Sequence, residues 1–317
     1  MKTAVIFINM GGPENLSEVR GFIRNLFRDS HIISLPTILR FTIAEIISGA
    51  RAPKVRQHYE LIGGGSPLKK WTKLQAQKTS EKLNDKYPET TFFTAYSYSH
   101  PKIDEIFEII SKADYDRIIA MPLYPQYSDA TLGSIYADLA RANKRHNPGA
   151  KLTTLPPFYE EAGYINASIE SLSRAMTKIN RDKSWQVVFT AHALPQSLID
   201  KGDPYGLQVD KTIYQILQKY PLENYSISFQ SKIGPVKWMQ PSTIDTVKRL
   251  GQEGIEQVVV VPIGFVCDHI ETLYELDIEL TEIAKDAGIR KFIRADAFND
   301  GDLFIAFLAK YLEQDLK

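Results

Sequence analysis

The chain has 317 residues, with 38 Lys plus Arg against 38 Asp plus Glu, and 44% of its residues are hydrophobic. A neutral balance argues against broad nucleic-acid binding, which shows itself as a basic surplus. The one cysteine, Cys267, excludes an intrachain disulfide and any metal site built from several thiolates, and it suits a reducing compartment.

In chain order, MKTAVIFINMGGP opens on an apolar run too short for a signal sequence or a membrane span, ending in Gly-Gly-Pro. Strands are predicted at 4–10, 90–98, 117–124, 186–193, 225–231 and 257–265. Most are nearly continuous apolar runs, the pattern of parallel strands buried on both faces. Between them lie helical patterns such as 68–86 and 207–220. The alternation reads as doubly wound α/β. The length suits two domains. Each half carries a strand entering a polar loop, a crossover helix and a later strand ending in a Pro-containing turn. The boundary is placed within 150–165, giving domains at 1–158 and 159–317. No apolar run is long enough to span a membrane, so the expectation is a soluble or membrane-surface protein.

In open α/β sheets, ligands sit at the carboxyl ends of strands, here expected at a crevice between the halves. The loops at those ends are NMGGP, YSYSHP, LYPQYSDATLGS, TAHALP, QSKIGPVKW and GFVCDHIE. His192 in TAHALP either caps local backbone or serves chemistry; its position at a strand end favours the second. GGGSP at 63–67 lacks the GK[ST] of a phosphate loop and reads as a tight turn, with Ser66 capping the next helix. The 37–54 segment reads first as a core helix. Its alternative is an exposed lip touching a membrane or a large flat ligand. Tyr124, Tyr127 and Trp238 add aromatics to the same set of loops.

From Asp268 to Glu282 there are six carboxylates and no Lys or Arg. A solvated helix N-terminus accounts for Asp268 and Glu271 through the helix dipole. It does not account for Glu275 and Glu279, which lie beyond the first turn. Glu271, Glu275 and Glu279 share one face of an α-helix, with steps of ~6 and ~12 Å along its axis. Carboxylates beside an imidazole suit a divalent metal or a proton relay.

Six stretches, NMGGP, YELIGGGSPLKKWTKLQ, MPLYPQYSDATLGS, FTAHALP with KGDPYG, FQSKIGPVKWMQPST and PIGFVCDHIETLYELDIE, together resemble the ferrochelatase family, in order from residue 3 to 300. The resemblance implies two Rossmann-like domains clasping a porphyrin, and insertion of ferrous iron into protoporphyrin IX as the last step of haem synthesis. It implies His192 and Glu271 as catalytic residues. It implies His192, Glu271, Glu275, Glu279 and Asp268 as metal contacts, with His269 beside them among the substrate-binding residues. Met10, Tyr124 and Trp238 match pocket positions, and Arg51 and Ser66 match positions holding propionates. Ile32 and Leu35 join Met10 and Trp238 as expected apolar walls.

Where cluster-bearing members have a Cys after Gln-Tyr-Ser, this chain has Asp129, so no [2Fe–2S] cluster and no tightly bound cofactor is expected; Fe2+ is substrate. Ser97 replaces an Arg common in the family, leaving Tyr98 and His100. Met10 favours protoporphyrin over coproporphyrin III, which stays as the alternative beside a non-catalytic porphyrin or haem carrier. The expected partners are the porphyrin, ferrous iron and a membrane surface, with no nucleic acid. The expected location is the cytoplasm, peripheral on the inner face of the membrane.

Overall fold

The structure is a computed structural model that describes residues 1–231, 234 and 236–317. Residues 232, 233 and 235, within the QSKIGPVKW loop, lie outside the described residues. The chain divides into two compact units. One comprises Met1–Pro157 with Asp300–Lys317; the other comprises Phe158–Asn299.

The first unit holds β1 (Thr3–Asn9), β2 (Thr90–Tyr96), β3 (Arg117–Pro122) and β4 (Lys151–Thr154), ordered β2-β1-β3-β4. All pairings are parallel. Every residue of TAVIFIN in β1 is buried, because a central parallel strand has helices over both faces. One face packs Ile6, Ile8 and Ile118 against Ile106, Phe107, Ile110, Ile135 and Leu139. The closing helix, Asp302–Leu316, belongs to this unit and not to the second as expected. Its anchoring explains why. The Arg117 guanidinium donates to the carbonyls of Asp315 and Leu316 at 2.6 and 2.8 Å. Tyr311 donates to the Pro156 carbonyl at 3.0 Å.

The second unit repeats the plan with β5 (Trp185–His192), β6 (Tyr225–Gln230), β7 (Gln257–Pro262) and β8 (Lys291–Arg294), ordered β6-β5-β7-β8 and all parallel. The six predicted strands are all present. The two short edge strands β4 and β8 are additional; KLTT and KFIR are four residues each, half-exposed, and lack the continuous apolar run of a central strand.

The helix after β7 departs from the expected α-form. Residues Glu271–Leu280 form a π-helix, continued by an α-helical turn at Thr281–Asp286. Thr272, Leu276, Leu280 and Ala284 are buried at strict steps of four, the last three in the core against Val188, Val258 and Val260. That period exceeds the 3.6 of an α-helix and suits a wider turn. The acids Glu271, Glu275 and Glu279 run one residue ahead of this stripe. Because a π-helix packs more residues into each turn, the row is shorter than the 1.5 Å rise per residue implies.

Candidate active site

His192 is the last residue of β5 and pairs with Gln230 at the end of β6. Parallel strands end together, so both side chains emerge at the carboxyl edge of the second sheet. The π-helix starts at the same edge, after β7. His192 Nδ1 lies 2.8 Å from Glu271 Oε2. The imidazole keeps 32% of its side-chain surface exposed and the carboxylate 14%. Burial pulls the His192 pKa down, but the Glu271 charge and hydrogen bond outweigh it and the net shift is upward. Burial pushes Glu271 up, yet the facing His192 overrides it and holds the carboxyl well below its usual range. An ionised Glu271 fixes the proton of a neutral His192 on Nδ1 and leaves Nε2 as the basic nitrogen.

Glu275 behaves oppositely. Burial, and then the neighbouring Glu271 charge, push it up to about 8. The two acids share one hydroxyl. Ser231 Oγ is 3.4 Å from Glu271 Oε2 and hydrogen-bonds Glu275 Oε2. Ser231 has φ +69, a left-handed conformation that costs a residue with a side chain about 1–2 kcal/mol. Gln230 adds a bond from Nε2 to the Glu271 carbonyl at 3.3 Å. Neither Ser231 nor Gln230 was singled out from the sequence, although both stand in a loop marked for its place after a strand.

His269 is buried. Its Nδ1 is 3.1 Å from the Cys267 carbonyl, and its ring meets Phe265 edge-on at 4.5 Å. Burial lowers its pKa. A neutral His269 therefore donates from Nδ1 and turns Nε2 toward Glu271 Oε2, 3.9 Å away. Trp238 lies beside the loop after His192, in an antiparallel bridge with Pro195. Glu279 is half-buried further along the π-helix.

Asp268 stands apart from this group. Its Oδ1 accepts from Thr272 Oγ1 at 2.9 Å and meets Arg294 Nη1 at 3.1 Å; its Oδ2 accepts from Asn299 Nδ2 at 2.8 Å. A carboxylate so occupied has few lone pairs to offer a metal. Its geometry is that of an anchor for the helix start. Among the described residues, no three His, Cys, Asp or Glu side chains converge as a ready-made metal cage.

On the first unit, Met10, Ser66 and Tyr124 gather at the carboxyl end of its sheet. The Met10 carbonyl accepts from the Tyr98 amide at 3.0 Å, and the Ser66 amide donates to the Pro13 carbonyl at 2.7 Å. A Cβ on Gly12 would come within 2.6 Å of the Ser66 Cβ, so only glycine lets these loops close. Ser66 is buried, and its Oγ accepts from the Leu68 amide at 3.4 Å. Tyr98 donates to Asp29 Oδ2 at 2.7 Å. Arg51 is half-buried on the Thr37–Leu61 helix, its guanidinium 5.8 Å from the Phe27 ring. That helix is the exposed alternative, not a core helix: Ile38 is 82% and Ile46 66% exposed, with Leu39 and Phe41 also open.

The fold places the chain among the chelatase-like α/β proteins. A structure of SirB from Bacillus subtilis with Fe3+ superposes with a TM-score of 0.59 over 99% of this chain and 95% of that one, at 12% identity. The sirohydrochlorin chelatase SirB in complex with cobalt gives 0.54 at 13% identity, covering 99% and 95%. At such identities the likeness concerns the fold alone. The family model for ferrochelatase matches residues 2–316. A ferrochelatase of Geotalea daltonii is 39% identical over 98% of this chain and 97% of its own length; that of Synechococcus elongatus is 38% identical over 100% and 83%. The chain belongs to the ferrochelatase family, the porphyrin metal chelatases.

Proposed function

We propose that the protein inserts Fe2+ into protoporphyrin IX, releasing two protons and giving protohaem, the terminal step of haem synthesis. The observation that carries the reading is the 2.8 Å contact of His192 Nδ1 with Glu271. Metallation strips two N–H protons from the pyrroles while one divalent ion enters. With Nδ1 tied to Glu271, His192 Nε2 accepts a pyrrole proton, and the adjacent carboxylate stabilises the imidazolium that forms. Glu271 and Glu275 differ in charge state and meet at one hydroxyl. Once Glu275 gives its proton to solvent, Ser231 can donate to Glu275 while accepting from a protonated Glu271, so a proton taken up at His192 passes outward along the row. The same oxygens, with Glu279 beyond them, are hard donors suited to an incoming hydrated Fe2+. Asp268 is left out of this set because its oxygens are engaged.

Family resemblance supports Met10, Tyr124, Trp238 and His269 as porphyrin contacts, with Arg51 and Ser66 toward its propionates. Met10 favours protoporphyrin over coproporphyrin III. The exposed apolar residues at 38–46 support docking on a membrane, where a hydrophobic porphyrin resides, in a cytoplasmic protein. Among the described residues, no helix is long and apolar enough to cross one.

The test is anaerobic insertion of Fe2+ and of Zn2+ into protoporphyrin IX and coproporphyrin III, with His192→Ala as control. The expectation is turnover on protoporphyrin IX and loss of at least about 10³-fold in the variant, porphyrin binding intact. Faster turnover on coproporphyrin III reverses the substrate assignment. A wild-type protein that binds porphyrin without metallating it is a carrier.

A further inference from the structure

Arg294 ends the edge strand β8, and only 11% of its side chain is exposed. Its guanidinium ties the segment just before the acidic helix to the helix itself. Nε and Nη2 fork onto Asp277 Oδ1 and Oδ2 at 2.6 and 2.8 Å. Nη1 lies 3.1 Å from Asp268 Oδ1, just before the helix begins. Asp268 is tied in turn by Asn299, whose Oδ1 accepts the Asp268 amide and whose Nδ2 donates to Oδ2, both at 2.8 Å.

The reach of this one guanidinium carries the argument. It ties the non-helical segment just before the helix, at Asp268, to Asp277, the seventh residue of the π-helix. Between those two anchors stand Glu271 and Glu275, which both meet the Ser231 hydroxyl. A buried tether that fixes the turns between its ends also fixes the spacing of these two acids. Side-chain packing at steps of four tolerates this form, but π-helices are rare and need a specific cause.

We propose that Arg294 is a positioning residue that clamps residues 271–280 in the π-form and so sets the placement of Glu271 and Glu275. The effect on turnover rests on the metal-insertion reading above; the effect on the helix does not. Arg294 touches neither His192 nor the acidic row and acts only through Asp268 and Asp277.

The test uses Arg294→Gln and, because a buried cation is lost there, also Asp277→Asn, which opens the same fork from its more exposed end. Amide hydrogen exchange is read at 271–280 and in β5 and β7, beside zinc insertion and porphyrin affinity. Both variants should exchange at least about ten-fold faster at 271–280 with the strands unchanged. They should lose roughly 10–100-fold in kcat with porphyrin affinity within about two-fold, since misplacing a catalytic group by an ångström costs that much. Arg294→Lys should fall between, as an ammonium cannot fork. Unchanged exchange at 271–280 in both variants overturns the proposal. So does a rise spread equally over the strands, which makes Arg294 a general strut. A wild-type protein that inserts no metal sinks the functional reading instead and leaves the exchange result to judge the clamp.

Discussion

Glu271 and Glu275 meet at a single hydroxyl, that of Ser231, while their carboxyls are driven to opposite protonation states. The facing His192 holds one ionised; burial and the repulsion of that first charge keep the other protonated at neutral pH. Two like groups with pKa values pushed apart are the arrangement that acid–base chemistry needs.

Neutralising Glu271 should expose what it does for His192. The imidazole has its pKa raised because the carboxylate outweighs burial. In Glu271→Gln the burial contribution remains and the charge does not, so the pKa should fall. The His192 midpoint, followed by NMR titration, is expected to lie lower in the variant than in the wild type, with kcat down roughly 10²-fold or more. A midpoint that stays put, or rises, refutes the coupling.

Glu275 makes a claim about stability. Its folded pKa, about 8, lies above the ordinary 4.5. The folded state therefore keeps a proton that the unfolded chain releases. The sign follows: the contribution is fully present below pH 4.5 and is lost as pH rises toward about 8. Glu275→Gln removes this loss. The variant should gain on the wild type across that window, by on the order of 2 kcal/mol after discounting for the water that reaches a partly buried group. Denaturant melts at pH 5 and pH 8 measure it; a variant no more stable relative to wild type at pH 8 than at pH 5 contradicts it.

The row should also be graded. Glu279 lies furthest from His192, so Glu279→Gln should cost at most about three-fold in kcat, chiefly at limiting metal, while Glu275→Gln costs more and Glu271→Gln most. Porphyrin affinity should hold in all three. Wild-type kinetics in both Glu275→Gln and Glu279→Gln would leave Glu271 as the sole functional acid.

The helix at 37–61 invites a membrane test. Ile38 and Ile46 bury little, so changing either to Asp should move stability by no more than about 0.5 kcal/mol. Liposome association should drop several-fold. Phe41 is a different case: Arg28 and Arg40 lie 4.8 and 5.9 Å from its ring, so Phe41→Asp rearranges a local charge cluster as well. A melting temperature that falls while liposome binding persists assigns the apolar face to packing within the protein.

What was legible locally was legible well. The four central strands, β1, β3, β5 and β7, show because a parallel strand covered on both faces is apolar along most of its length. His192 and Glu271, which the fold brings to 2.8 Å of one another, stand in ordered stretches of chain whose likeness to the family extends over nearly all residues. The acidic row was visible as a charge pattern, and its neighbours Thr272, Leu276, Leu280 and Ala284 already repeat every fourth residue, a sign of the wide turn that a 3.6-residue reading passes over.

The sequence by itself determined the class of fold, the repetition of one sheet plan and the identity of the His–Glu pair, because continuous apolar strands and contiguous motifs are local properties of the chain. Only the tertiary structure decided the rest. It gave the closing helix to the first unit, since the Arg117 fork that holds its last carbonyls is set nearly two hundred residues upstream. It turned the acidic segment into a π-helix, gripped by Arg294 from a strand that carries no apolar signature. It occupied Asp268 with Arg294, Asn299 and Thr272, and it put Ser231 between two carboxylates. Each of these is a contact between residues distant in sequence, and a charge or a hydroxyl acquires its pKa and its partner only when folding brings that partner within about 3 Å.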